Sequence, residues 1–264
     1  MSFEQTPLLS VLTVNYKSAE KVCRLYESLV NFPPSCPFEF IVVDNHSSLR
    51  DTEILNTFFV QKENTHLLFL SQNLGFGRGN EEGLKCAKGD FIAFINPDIE
   101  VSAHCLDELL SFLNPHHRTG MVVPLLKTHD GNLLENTWNF PKPLELFRKR
   151  LFNYRFPAYL PDRPVPVPWA QGSFLLLRKS FFKMLGGFDH RFFLFFEDTD
   201  LCRRSWEMGF QVMQIPTALA FHEEKRLSGH DIFQSLWRKT FWIHVVSMAK
   251  YFWKYRGKKF PLVF

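Results

Sequence analysis

The stretch FIAFINPDIE, residues 91–100, decides the fold class. Phe91 to Ile95 is an apolar run of strand length bounded by turn residues, which reads as a buried strand. The chain then stops at Asn96-Pro97-Asp98, where Pro97 restricts the backbone and turns Asn96 away from helical geometry. An acid held at a strand end can coordinate a hard divalent cation through oxygen. Taken alone, the tripeptide fits a helix cap or a turn better.

Working outward from this strand, the same unit repeats. Leu8–Val14 and Phe38–Val43 are apolar runs, ending in Asn15-Tyr16 and in Asp44. Between them Val22, Leu25, Tyr26 and Leu29 recur at helical spacing, and the proline-rich NFPPSCP ends that helix. Leu67–Leu70 is a short strand before SQNLGFGRGN, and a helix is expected over Asn80–Ala87. After Asp98 a helix is expected over residues 102–113, then a strand over Met121–Leu125. Strands alternating with helices imply a mostly parallel sheet flanked by helices, an α/β architecture. Ligands on such sheets sit beyond the carboxyl ends of the strands. Asn15, Asp44, Asn73 and Asp98 all fall at or just after such ends, so a polar ligand is expected there.

Residues 126–168 are rich in proline, arginine and aromatics and read as an irregular insertion or lid. Gly172–Leu177 resumes a strand, a short helix and the Gly186-Gly187 turn follow, and a helix over Asp198–Met208 stops at Gly209. Phe210–Ile215 and Ala218–Phe221 are expected as two further strands. The segment FFLFFEDTD, residues 192–200, places Glu197, Asp198 and Asp200 directly after five apolar residues. A capping role accounts for one or two of these acids; three around a first helical turn point to a site, with clustering and burial raising a carboxyl pKa into the range of a general base. His222 ends the last strand candidate and can offer an imidazole to a metal, although a lone histidine is more often a surface or core residue. The glycines of NLGFGRGNEEG match neither a dinucleotide fingerprint nor a phosphate loop. They serve either close approach of backbone to a ligand, with Arg78 meeting a phosphate, or a tight structural loop.

The formal charge of +4 is uneven: seven Lys or Arg and no acid lie between Ile232 and Phe264, leaving 24 basic against 27 acidic residues elsewhere. A slightly acidic body argues against nucleic-acid binding. Five cysteines without a CxxC pair, and a start without a basic segment leading into a long apolar core, lead to the expectation of a reducing, cytoplasmic location.

Taken in order, SVLTVNYKS, FIVVDNHSS, SQNLGFGRGNEEGL, DFIAFINPDIEV, VPWAQGSFLLLRKSFFKMLGGFDHRFFLFFEDTDLCRRSWEMGFQV and AFHEEKRLSG resemble the inverting glycosyltransferases of family 2, in the rhamnosyltransferase-like branch. The resemblance runs from Leu9 to about Gly229 and is loose over 126–168. It implies a GT-A fold, a Rossmann-like nucleotide-diphospho-sugar transferase, as one catalytic domain over residues 1–230, with a helical tail at 231–264. It implies that Asp44 reads the donor's pyrimidine base with Asn15 and Tyr16 nearby, and that Asn73, Gly75, Arg78, Asn80 and Asn96 border the donor. Asp98, with His222, would hold Mg²⁺ or Mn²⁺ on the diphosphate. Asp198 would be the general base, with Glu197, Asp200, Trp169, Gln171 and Gly172 supporting it or binding acceptor. The expected activity is metal-dependent transfer of rhamnose or another hexose from a dTDP- or UDP-sugar to a glycan or lipid-linked saccharide in cell-surface polysaccharide synthesis. Asn96 stands where the family's leading acid is usual, as is common in this branch.

The tail allows two readings: Trp237, Phe241, Val245, Met248 and Phe252 form an amphipathic stripe that either packs on the domain or, with the basic residues of 237–259, lies on an anionic membrane at the inner face. Two other classes compete. A nucleotidyltransferase wants a basic glycine-rich loop that VLTVNYKSAEK lacks. A non-catalytic nucleotide-sugar-binding protein is expected to have lost Asp98 or Asp198, and both are present.

Overall fold

The computed structural model describes residues 9–143, 161–223 and 239–264. Three parallel strands open the chain: β1 (Leu9–Asn15), β2 (Phe38–Asp44) and β3 (Thr65–Phe69), joined through α1 (Ala19–Asn31) and α2 (Leu49–Phe59). The helix α3 (Phe76–Leu84) leads to β4 (Phe91–Ile95), which returns to pair with β1 on its other edge. The chain therefore reverses direction across the sheet at β1, which opens a crevice beyond the carboxyl ends of β1, β2 and β4.

After β4 come β5 (Ile99–Val101), α4 (Cys105–Leu113) and β6 (Thr119–Lys127). The short strands β7 (Leu133–Leu134), β8 (Thr137–Trp138), β9 (Val165–Pro166) and β10 (Trp169–Ala170) lie within or beside the 126–168 stretch, whose residues 144–160 are outside the described set. β11 (Phe174–Arg178), α5 (Lys179–Leu185), α6 (Glu197–Glu207), β12 (Gln211–His222) and α7 (Lys239–Lys254) complete the described elements. The main sheet runs β3-β2-β1-β4-β11-β6-β12-β5, with β7 on β6 and β9 on β12; β8 and β10 pair separately. β11 runs antiparallel to both neighbours, so β6 and β12 point the same way as β1 and β4. The carboxyl end of β12 thus reaches the same edge as those of β1 and β4.

The apolar runs of the strands follow from this layering. Side chains alternate faces along a strand. Leu9, Val11, Phe40, Val42, Phe91 and Ala93 enter one core under α1, α2 and α4, whereas Leu12, Ile41, Val43, Ile92 and Phe94 enter a second core with residues of α5 and α6. Both faces are covered, so no polar alternation shows.

Several elements differ from the sequence reading. α3 starts at Phe76, four residues before the expected Asn80, because its glycines are helical. A Cβ on Gly83 would stand 2.8 Å from Val43 and one on Gly77 would stand 2.8 Å from Phe188, so these glycines let the helix lie close on its neighbours. Asp98 caps no helix: β5 intervenes, and α4 begins only at Cys105. The two strands expected over 210–221 are one strand with a shift of register between Ile215 and Leu219, where Pro216 interrupts the ladder. α2 is absent from the sequence reading, since its apolar positions are irregular and Leu49 is 89% exposed.

Candidate active site

Parallel pairing puts Asn15 opposite Asp44, and the two side chains close the ends of β1 and β2. Asn15 Nδ2 donates to Asp44 Oδ1 at 2.6 Å, and the Ser47 amide donates to Asp44 Oδ2 at 3.0 Å. Ser18 donates to Asn15 Oδ1 through both its amide and its hydroxyl. Asp44 is thereby buried and fixed at the crevice floor, and Tyr16 beside it is 48% exposed.

The neighbouring loop is pinned by Asn45, which the sequence reading left out of the site although it sits inside DNHSS. Its Nδ2 donates to Asn73 Oδ1 at 3.0 Å and to the Gly75 carbonyl at 2.9 Å, and its Oδ1 accepts from the Leu74 amide at 2.8 Å. Asn73 Oδ1 also accepts from the Gly75 amide. Gly75 has φ +85°, and a Cβ there would lie 2.0 Å from the Phe193 carbonyl oxygen, which accepts from the Phe76 amide. The glycine-rich segment is thus a structural loop at Gly75 and a helix beyond it. Replacing Gly75 by Ala is expected to lower thermal stability, since strained φ and backbone overlap coincide at this position; a melting temperature equal to the parent's would remove this account. Arg78 on the first turn of α3 is exposed, and Asn80 is buried with its amide donated to the Phe76 carbonyl.

The Asn96-Pro97-Asp98 turn is positioned from two sides. The Asn96 amide donates to the Ser173 carbonyl at the start of β11, and β5 pairs with the end of β12 so that His222 stands opposite Ile99. That register places His222 Nε2 3.4 Å from Asp98 Oδ1. Lys21 of α1 stands 3.7 Å from Asp98 Oδ2 and 2.8 Å from Glu223. Burial raises the Asp98 pKa, but the hydrogen bond and charge of His222, with Lys21, outweigh it and hold the carboxyl below its usual range. Carboxylate oxygen and imidazole nitrogen are donors that Mg²⁺ or Mn²⁺ accepts. Among the described residues no set of three His, Cys, Asp or Glu side chains converges. Mg²⁺ is usually bound through one or two carboxylates plus water and substrate phosphates rather than an all-protein cage, so Asp98 with His222 would fit such an ion.

Asp198 lies in the first turn of α6, where the helix dipole favours a negative charge. Its Oδ2 accepts from the Gly172 amide at 2.9 Å, and its Oδ1 accepts from the Thr199 amide at 2.6 Å. A Cβ on Gly172 would stand 3.2 Å from Asp198 Cβ, which explains a glycine before β11. Ser173 links this pair to the Asn96 amide, so one short backbone path ties the Asp98 turn to the Asp198 carboxylate. Asp198 keeps partial exposure with protein around most of it; burial pushes its pKa up, against the hydrogen bonds from Gly172 and Thr199. Glu197 is buried with Oε2 unpartnered, and burial, then the Asp198 charge, drives its pKa well above the usual range.

Asp200 faces the other way. It is fully buried, with Oδ2 bound by Arg204 Nε at 2.7 Å and Oδ1 by Tyr255 OH at 2.8 Å and by Lys254. Trp169 of β10 packs on Trp138 of β8 with ring centroids 4.8 Å apart, and the Gln171 amide donates to the Asn136 carbonyl. Trp138, absent from the sequence reading, is part of the same aromatic surface; only strand pairing across 31 residues reveals it, because Trp169 stands opposite Trp138 in the ladder.

Comparison with known proteins follows the same lines. The family model for Glycosyl transferase family 2 matches residues 10–186. The N-acetylglucosaminyl-diphospho-decaprenol L-rhamnosyltransferase of Mycobacterium tuberculosis is 27% identical over 86% of this chain and 79% of that protein. The crystal structure of GalNAc-T7 with UDP, GalNAc and Mn²⁺ superposes with a TM-score of 0.67 at 17% identity over 84% of this chain and 45% of that one, so this chain spans less than half of it. The mannosyltransferase PcManGT from Pyrobaculum calidifontis, in complex with GDP-Man and Mn²⁺, superposes with a TM-score of 0.65 at 15% identity over 98% of this chain and 67% of that one. These likenesses bear out the GT-A fold.

Proposed function

This chain belongs to glycosyl transferase family 2, and from that premise we propose that it is an inverting, metal-dependent glycosyltransferase acting from a dTDP- or UDP-sugar on a hydroxyl of a glycan or lipid-linked saccharide. The observation that carries the reading is the Asp198 carboxylate, held by two backbone amides at a helix start, partly open to solvent and raised in pKa. Such a group is built to take a proton.

In this reading Asp198 accepts the proton of the acceptor hydroxyl. The freed oxygen forms the new bond to the anomeric carbon from the face opposite the leaving group, and the bond to the nucleotide diphosphate breaks with its electron pair, inverting the centre. Asp44 and Asn15 hold the base of the nucleotide at the ends of β1 and β2, with Tyr16 presenting an exposed ring beside them. Asp98 and His222 would hold Mg²⁺ or Mn²⁺, which when bound supplies neutralisation of the charge that develops on the diphosphate. Glu197, buried beside the base and held well above the usual carboxyl range by burial and then by the Asp198 charge, supports Asp198. Trp169, Trp138 and Gln171 flank the acceptor side. The M. tuberculosis relative is named for a polyprenyl-diphosphate-linked acceptor, which favours a lipid-linked saccharide and rhamnose here.

A lipid-linked acceptor also gives a use to the outer side of α7. Val246 and Trp253 are 49% and 75% exposed there, and the described residues 239–264 hold five exposed Lys or Arg (Lys239, Lys250, Arg256, Lys258 and Lys259) and no acid, the sixth, Lys254, being turned inward to Asp189 and Asp200. Of the expected stripe, Met248 and Phe252 pack on the domain against the cluster of Phe192, Phe196, Tyr251 and Tyr255, and Trp237 lies outside the described residues, so it is the opposite, exposed side that favours peripheral contact with an anionic inner membrane face; among the described residues no helix is long and apolar enough to cross a membrane.

Titration calorimetry tests the reading with deoxythymidine-diphosphate-rhamnose, UDP-glucose, UDP-galactose, UDP-N-acetylglucosamine, UDP and deoxythymidine diphosphate, each with Mn²⁺ and with chelator. Metal-dependent binding of one sugar nucleotide is expected. Folded protein that binds neither diphosphate would overturn the transferase reading, and binding without turnover of any donor would leave a nucleotide-sugar-binding protein on this scaffold.

A further inference from the structure

The C-terminal segment grips the helix that carries Asp198 and the loop that leads into it. Phe195 and Phe196, immediately before Glu197, both take left-handed backbone angles, φ +68° and +69°. For bulky residues this conformation is strained and persists only where surrounding structure over-determines it. The surroundings are supplied by α7. Phe192 and Phe196 form a buried cluster with Tyr251 and Tyr255, Ser247 Oγ donates to the Leu194 carbonyl at 2.8 Å, and Lys250 Nζ donates to the Arg191 carbonyl at 2.7 Å.

The grip continues along α6. Lys254 binds Asp200 and, at 2.7 Å, Asp189, while Tyr255 OH donates to Asp200. Arg203, 1% exposed, lies with its guanidinium 3.7 Å from the centre of the Tyr255 ring and donates to the Lys259 carbonyl at 2.9 Å. A buried Asp200 with neither oxygen free for a ligand has no direct part in binding acceptor, yet it is two residues from Asp198 on the same turn.

We infer that residues 247–259 are a positioning strap for the base, with Lys254 and Tyr255 as positioning residues that act on Asp198 through Asp200 and the 192–196 loop. The inference rests on the reading of Asp198 as the base. The strap sets where the carboxylate points, and donor binding at the ends of β1, β2 and β4 does not depend on it.

The test compares parent, Lys254→Met, Lys254→Arg and Tyr255→Phe in release of nucleotide diphosphate from whichever donor of the calorimetric panel the parent hydrolyses. Lys254→Met is expected to lower kcat about 10- to 100-fold, the cost of displacing a reacting group by roughly an ångström, with KM for donor within about twofold. Tyr255→Phe is expected to lower kcat by a smaller factor, and Lys254→Arg to restore most of the loss. Unchanged kcat in both Lys254→Met and Tyr255→Phe, or a loss in which KM rises as kcat falls, overturns the strap. If Lys254→Met does not fold, Tyr255→Phe decides, since it removes one hydroxyl and keeps the ring. If the parent hydrolyses no donor, hydrogen exchange of Tyr255→Phe with UDP and Mn²⁺ present decides instead: faster exchange confined to 192–200 supports the strap, and unaltered exchange there overturns it without bearing on the transferase reading.

Discussion

Asp198→Asn is expected to abolish sugar transfer and to leave nucleotide binding in place. The substitution keeps the shape of the side chain and removes its capacity to take a proton, and loss of a positioned general base costs about 10²–10⁴-fold in rate. The amide is also wrong for its surroundings. Both Asp198 oxygens accept backbone N–H groups, from Gly172 and Thr199, so one of these donors meets the NH₂ group of Asn and loses its acceptor. The measurement is transfer rate beside UDP or deoxythymidine diphosphate affinity on the same preparation. Equal rates in parent and variant would end the assignment of the base. The parent's rate should rise with pH on the acid side: the base works ionised, and burial shifts that limb above the range of an ordinary aspartate.

Asp98→Ala is expected to weaken sugar-nucleotide binding in Mn²⁺ by about 100-fold or more, because loss of even an outer-shell partner of a metal costs 10- to 100-fold. In chelator, parent and variant should bind alike. The comparison is clean because the fold does not hang on this carboxylate. Lys21 retains Glu223 at 2.8 Å, and the turn is held by the Asn96 amide on Ser173 and by the β5–β12 ladder, all independent of the Asp98 side chain. A variant whose metal dependence equals the parent's would take Asp98 out of the metal site, and His222→Ala then tests whether the imidazole serves alone.

Much of the architecture was legible in the chain because it rests on local rules. Apolar runs of strand length, turn residues after them and 3.6-residue periodicity between them mark β1, α1, β2 and β4, and the polar residue closing each strand marks the binding edge. The acids of EDTD at a helix start were visible for the same reason. α2 and the true start of α3 were not: uneven apolar spacing concealed the first, and glycine, read as loop punctuation, concealed a helix that needs small residues to lie close on its neighbours.

The sequence by itself determined the strands β1, β2 and β4, their alternation with helices and the polar residues at their ends, since each depends on residues a few positions apart. Tertiary structure alone decided which of those residues meet. His222 reaches Asp98 because β12 runs parallel to β6 and pairs with β5 in a register no local pattern encodes. Glu197, Asp198 and Asp200 look alike in the chain, but the turn of a helix points them in different directions: Asp198 toward Gly172, Asp200 into the grip of Lys254 and Tyr255 from more than fifty residues away. Side-chain direction, burial and long-range pairing assign their roles, and those are properties of the packed molecule.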